Sequence, residues 1–127
     1  MSRVVLDASA VIAVLNQESG AEQLTPHLAN ACCSAVNAAE VQGKLVERGL
    51  DPDNAWEDVK AVISEILPFT DQQAKTAGTL IAQTRASGLS LGDRSCLALA
   101  LSLNLPVYTA DRSWKHLKLG VPIHVIR

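Results

Sequence analysis

Five short apolar runs alternate along this chain with longer stretches of helical periodicity, and this order limits the fold more than any other feature of the sequence. The runs cover residues 3–6, 31–34, 66–69, 106–109 and 123–126. The spacing between them predicts helices over residues 8–16, 21–29, 38–47, 52–63, 71–86, 92–103 and 112–117. Strands separated by helices pair through crossovers, which gives a parallel sheet covered on both faces. Aromatic residues make up only 3% of the chain, so the core must be built from Ala, Val, Ile and Leu, as suits helices lying close on such a sheet. Gly49 and Gly88 follow helical runs as stops, and Pro52 suits a first helical turn after Asp51. The expected architecture is an α/β fold, a three-layer α/β/α sandwich with a five-stranded parallel sheet. With 127 residues, the chain is expected to form one domain spanning 1–127.

Four acids stand out against this frame. Asp7 directly follows Arg3-Val4-Val5-Leu6, and Asp111 follows Pro106-Val107-Tyr108-Thr109-Ala110. Asn37-Ala38-Ala39-Glu40 and Ser90-Leu91-Gly92-Asp93 both have capping-box spacing, which puts Glu40 and Asp93 in the first turn of a helix. Each acid is explained singly as a helix cap. Helices that follow parallel strands all start at the sheet's carboxyl edge, where ligands bind, and their amino ends favour negative charge. Asp7, Glu40 and Asp111 should therefore meet there; Asp93 follows a helix and a loop, so spacing does not bring it to the others. Carboxylates gathered in this way favour Mg²⁺ or Mn²⁺ over Zn²⁺. Ser9 and Thr109 each lie two residues from one of the acids, where a hydroxyl can orient a carboxylate or bond to the backbone of a turn.

Other chemistries are poorly supported. A net charge of −2 argues against a nucleic-acid partner, but neutralising the four acids with cations would turn it to +2. Arg94, Arg112 and Lys115, close to two of them, would then be the nearest basic groups for an RNA backbone. Cys32, Cys33 and Cys96 give neither a disulfide framework nor a metal pattern, which points to the reducing cytoplasm. His27, His116 and His124 lack ligand spacing, and a Gly-rich phosphate loop is absent. Asp7 interrupts what would be a signal-peptide core, and the longest apolar stretch, Cys96 to Leu101, is far short of a membrane span.

Taken together, Leu6-Asp7-Ala8-Ser9-Ala10, Ala39-Glu40-Val41-Gln42-Gly43, Leu89-Ser90-Leu91-Gly92-Asp93-Arg94 and Tyr108-Thr109-Ala110-Asp111 resemble, in order and spacing, the four acidic motifs of PIN-domain ribonucleases. Among these the chain looks most like the VapC-type toxins of prokaryotic toxin–antitoxin pairs. The resemblance implies Mg²⁺ or Mn²⁺ held by Asp7, Glu40, Asp93 and Asp111, with Ser9 and Thr109 as supporting hydroxyls. It implies endonucleolytic cleavage of RNA, a cognate antitoxin partner and a homodimer. Asn37 stands where related sequences often carry Thr.

Two other readings belong to different classes. A phosphoacceptor receiver domain would want adjacent acids after the first strand and a Lys late in the sheet, whereas residue 8 is Ala and the last strands carry no Lys. A non-catalytic RNA-binding or interaction module would tolerate loss of an acid, and none is lost. The apolar runs at 41–46 and 59–67 are the sequence's weak support for protein partners, although core packing accounts for most of them.

Overall fold

The computed structural model describes residues 2–127, and its first strand, β1 (Val4–Leu6), lies at the middle of the sheet. Helix α1 (Ala8–Leu15) leaves β1 at once, and two 3₁₀ segments, Ala21–Gln23 and Thr25–Asn30, lead to β2 (Ala31–Ser34). Helices α2 (Ala35–Glu47) and α3 (Pro52–Val62) precede β3 (Glu65–Leu67). Then come α4 (Asp71–Thr79), the short α5 (Ile81–Thr84), a 3₁₀ turn over Arg85–Ser87 and α6 (Leu91–Leu103). The chain closes with β4 (Val107–Thr109), a 3₁₀ turn over Arg112–Trp114 and β5 (Ile123–Val125). All pairings are parallel, in the order β3-β2-β1-β4-β5, so the expected α/β class and five-stranded parallel sheet are present.

The two-residue period of the strands divides the core in two. Val4, Leu6, Ala31 and Cys33 face α1, α2 and α3 through Val11, Ala38, Val41, Ala55 and Val59. Val5, Cys32 and Val107 point the other way, onto Cys96, Leu97 and Leu99 of α6 and onto Trp114. The sheet is thus buried on both faces, as a parallel sheet with crossover helices requires. Most of the apolar runs at 41–46 and 59–67 goes into this core: Val41, Leu45, Val59, Val62 and Ile63 are buried, and Val46 is exposed.

Three expected helices are corrected. The segment 21–29 forms 3₁₀ turns, because Gly20 enters it in the left-handed region (φ 91°) and Pro26 contributes no amide. Its bonds reach back three residues, from the Leu24 amide to Ala21 at 2.9 Å and from His27 to Leu24 at 2.8 Å. The helix expected over 71–86 breaks after Thr79, where Arg94 Nη1 donates to the Ala77 carbonyl at 2.8 Å, the group a continuous helix would offer to Ile81. The helix expected over 112–117 is a 3₁₀ turn whose bonds also span three residues and whose Trp114 indole is wholly buried.

The amino end of α6 carries the full capping box foreseen from Ser90 and Asp93. Ser90 Oγ accepts from the Asp93 amide at 3.1 Å, and Asp93 Oδ2 accepts from the Ser90 amide at 2.9 Å. Ser90→Ala should lower stability by about 1 kcal/mol in urea unfolding; an unchanged midpoint would show that the cap adds nothing.

Candidate functional site

The strand order reverses direction at β1. The chain steps from β1 to β2 and β3 on one side, then crosses back to lay β4 and β5 on the other. A crevice at the carboxyl ends of the strands is expected at such a switch point, between β1 and β4. Asp7, the residue after β1, sits there as the cap of α1, and only 2% of it is exposed. Its Oδ1 accepts from the Ala10 amide and from Ser9 Oγ, both at 2.8 Å, and its Oδ2 accepts from Thr109 Oγ1 at 2.6 Å. Each hydroxyl also accepts a backbone amide from the turn after β4, Ala110 onto Ser9 at 2.9 Å and Asp111 onto Thr109 at 3.0 Å. Two amides of the β4 turn thus polarise two hydroxyls that donate to one buried carboxylate. The same contacts link the Asp111 backbone to Asp7 through one hydroxyl, while Asp111 Oδ1 caps the Arg112–Trp114 turn by accepting from Ser113 at 2.9 Å.

Glu40 arrives by a different route from the one expected. Ser34 caps α2 by accepting the Val36 amide, so the helix starts at Ala35, and Glu40 lies beyond its first turn. The capping role expected of Asn37 is corrected accordingly. Asn37 is buried within α2, and its Nδ2 donates to Glu40 Oε1 at 2.8 Å and to the Gly92 carbonyl at 3.0 Å. The bond to Gly92 ties α2 to the start of α6. A Cβ built on Gly92 would lie 2.5 Å from both carboxylate oxygens of Glu40, so the missing side chain is the space that the carboxylate occupies. Sequence spacing concealed both roles, although a glycine in the first turn of a helix was a readable signal of close approach. Asp93, next to Gly92, comes near enough for its charge to act on Asp7.

Burial pushes Asp7 up from 3.8 to about 6, and the charge of Asp93 adds to the rise; the Thr109, Ala10 and Ser9 donors hold it back. Three donors leave unused part of the roughly four lone-pair sites that a carboxylate offers. Among the described residues, no group of three or more acid, imidazole or thiol side chains is arranged to hold a metal ion. The residues nonetheless fit a hard divalent cation. The donors are all oxygen, the Gly92 hollow accommodates a carboxylate, and Asn37 Oδ1 is buried without a partner beside it. Mg²⁺ in particular is held by one or two carboxylates with water and substrate phosphate, not by a closed protein cage.

The basic residues separate. Half-buried Arg94 is turned to the Ala77 carbonyl of α4, whereas Arg112 and Lys115 are exposed just past Asp111. His27 contacts the Tyr108 hydroxyl at 3.3 Å, and His124 stacks on the Tyr108 ring with centroids 4.6 Å apart. Burial raises Cys33 to about 12 and Cys96 well above the ordinary thiol range, so neither is a ready thiolate.

The model of the PIN domain family matches residues 4–119. No curated protein sequence matches the chain. Among solved structures, the fold is similar to a DNA-bound VapBC complex from Salmonella typhimurium, at 22% identity over 100% of both chains with a TM-score of 0.73. It is also similar to VapC20 of Mycobacterium tuberculosis, described as a toxin cleaving the sarcin-ricin loop, at 16% identity over 94% of this chain and 98% of that one, with a TM-score of 0.72. FitAcB from Neisseria gonorrhoeae shares 19% identity over 95% and 96% of the two chains, with a TM-score of 0.70.

Proposed function

This chain belongs to the PIN domain family, and on that premise we propose that it is a Mg²⁺- or Mn²⁺-dependent endoribonuclease, the VapC-type toxin of a toxin–antitoxin pair. The observation that carries the reading is the buried Asp7 carboxylate, held by Ser9 and Thr109 at the switch point, with the Asp111 amide bonded to the same Thr109 hydroxyl and the charge of Asp93 acting on Asp7. Such an arrangement costs stability, as burying a repelled carboxylate must, and a ligand that binds the charged form explains why it is kept.

Asp7, Glu40, Asp93 and Asp111 would hold the cation. When bound, the cation activates water and offsets charge on a phosphoryl group. Ser9 and Thr109 fix both oxygens of Asp7, and Asn37 fixes one oxygen of Glu40, so neither carboxylate has to be ordered during turnover. In the hydrolysis, the oxygen of water bonds to phosphorus and the P–O3′ bond breaks, leaving 5′-phosphate and 3′-hydroxyl ends. Arg112 and Lys115 supply positive charge for the RNA backbone. Arg94, turned to α4, serves packing more than substrate.

The receiver alternative loses ground on topology, since receiver domains have strand order 2-1-3-4-5 and this sheet runs β3-β2-β1-β4-β5. The likeness to VapBC supports an antitoxin partner; we propose that this partner blocks the site and that the domain, spanning 1–127, works as a homodimer in the cytoplasm. No helix among the described residues is long and apolar enough to cross a membrane.

Purified protein freed of any bound partner should cut total cellular RNA into discrete fragments with Mg²⁺ or Mn²⁺. Cutting should stop with chelator and be absent in Asp7→Asn. If RNA binds without cleavage, the non-catalytic binding module takes the place of the nuclease.

A further inference from the structure

We propose that the cavity of about 330 Å³ lined by Arg112, Lys115, Val125 and Arg127 is a phosphate subsite that seats an RNA backbone phosphate next to the one being cut. The proposal rests on the nuclease reading for its substrate and on the cavity's own chemistry for its ligand. Three of the four lining residues are cations, and they come from two places in the chain, the turn after β4 and the end of β5.

The cations are arranged differently. Arg127 is braced, with Nη1 2.7 Å from Glu18 Oε1 and 3.4 Å from the Ser19 carbonyl. Arg112 is fixed at its inner nitrogen, where Nε donates at 3.2 Å to a main-chain carboxylate oxygen of Arg127, the last residue of the sequence, so the cations of the cavity face one carboxylate as well. Among the described residues, its outer nitrogens and Lys115 Nζ have no hydrogen-bond or carboxylate partner. A planar guanidinium anchored at Nε and open at both Nη atoms is suited to two parallel bonds to phosphate oxygens, and Lys115 adds a mobile point charge. Val125 gives the wall an apolar strip for a ribose.

Position argues for a nucleic-acid phosphate. Val125 ends β5 and Arg112 directly follows Asp111, so the cavity lies at the same carboxyl edge as Asp7 and Asp111. It sits one strand beyond β4, and neighbouring strands are about 4.8 Å apart. A backbone crossing that edge would therefore meet the acids and then, about one residue further, the cations.

Titration of the ¹⁵N-labelled protein with inorganic phosphate tests the subsite without any catalysis. Saturable shifts should appear at the amides of Arg112 to Lys115 and Val125 to Arg127 and at Arg112 Nε, and should vanish in the folded Arg112→Gln/Lys115→Gln double variant. Shifts that do not saturate, or that persist in the variant, overturn the subsite. On RNA, the double variant should show KM raised about tenfold with kcat little changed, the mark of lost binding common to ground and transition states. Unchanged KM also overturns it. If phosphate binds here but the wild-type chain cuts no RNA, the subsite stands and the nuclease reading falls.

Discussion

Asp7→Asn is expected to cut no RNA and, at pH 8, to unfold at a higher temperature than the wild type. Burial raises Asp7 from 3.8 to about 6, so the folded state binds this proton more tightly than the unfolded chain. The resulting contribution to stability is fully present below about pH 4 and is lost as pH rises through about 6, so the charged group weakens the fold at neutral pH. A shift of this size corresponds to about 3 kcal/mol. The variant loses part of that gain, because an amide nitrogen cannot accept from Thr109, and a net gain of about 1–2 kcal/mol is expected. The gain should shrink as pH falls through 6 and reverse near pH 4, where Asp7 is protonated in the folded wild type and only the lost Thr109 bond separates the two proteins. Added Mg²⁺ should raise the melting temperature of the wild type at pH 8 and leave that of the variant unchanged. Activity should fall more than about 100-fold, beyond what loss of a group supporting a metal ligand costs. A variant that cuts RNA like the wild type removes Asp7 from the chemistry; one that melts lower at pH 8 removes the cost assigned to its buried charge.

Gly92→Ala separates site from fold in the opposite way. The new methyl would fall 2.5 Å from both Glu40 oxygens, well inside ordinary contact. Glu40 is an exposed side chain on a flexible stem, so it can swing away at little cost, giving up its bond from Asn37. Ala is also the better helix former by about 1 kcal/mol. The expected variant is at least as stable as the wild type in thermal melts, with activity down about 10- to 100-fold. Wild-type cleavage rates would mean that the position of Glu40 has no bearing on catalysis.

These two residues mark the limits of what could be read from the chain. Asp7 was legible because it is local: a strand, an acid and a hydroxyl two residues on form one short segment, and its capping of α1 follows from that segment alone. Thr109 was legible for the same reason on β4. The α/β class came from the alternation of apolar runs and helices. The helix over 21–29 failed because periodicity outweighed Pro26 in the reading, although Pro26 outweighs periodicity in the chain. The break after Thr79 was hidden because it coincides with Arg94, fifteen residues on, taking a carbonyl of α4.

By itself, then, the sequence determined the strands, the acids within two residues of the ends of β1 and β4, and the capping box at Ser90 and Asp93, because each depends on bonds made within a few residues. Only the tertiary structure decided that Ser9 and Thr109 meet on one carboxylate, that Asn37 clamps Glu40 against Gly92, and that Asp93 comes close enough to raise Asp7. It likewise decided that Arg127 joins Arg112 and Lys115 around one cavity. Those contacts depend on the sheet order β3-β2-β1-β4-β5 and on α2 lying against α6, which are set by how two apolar faces bury themselves on one sheet, a choice made by the whole chain at once.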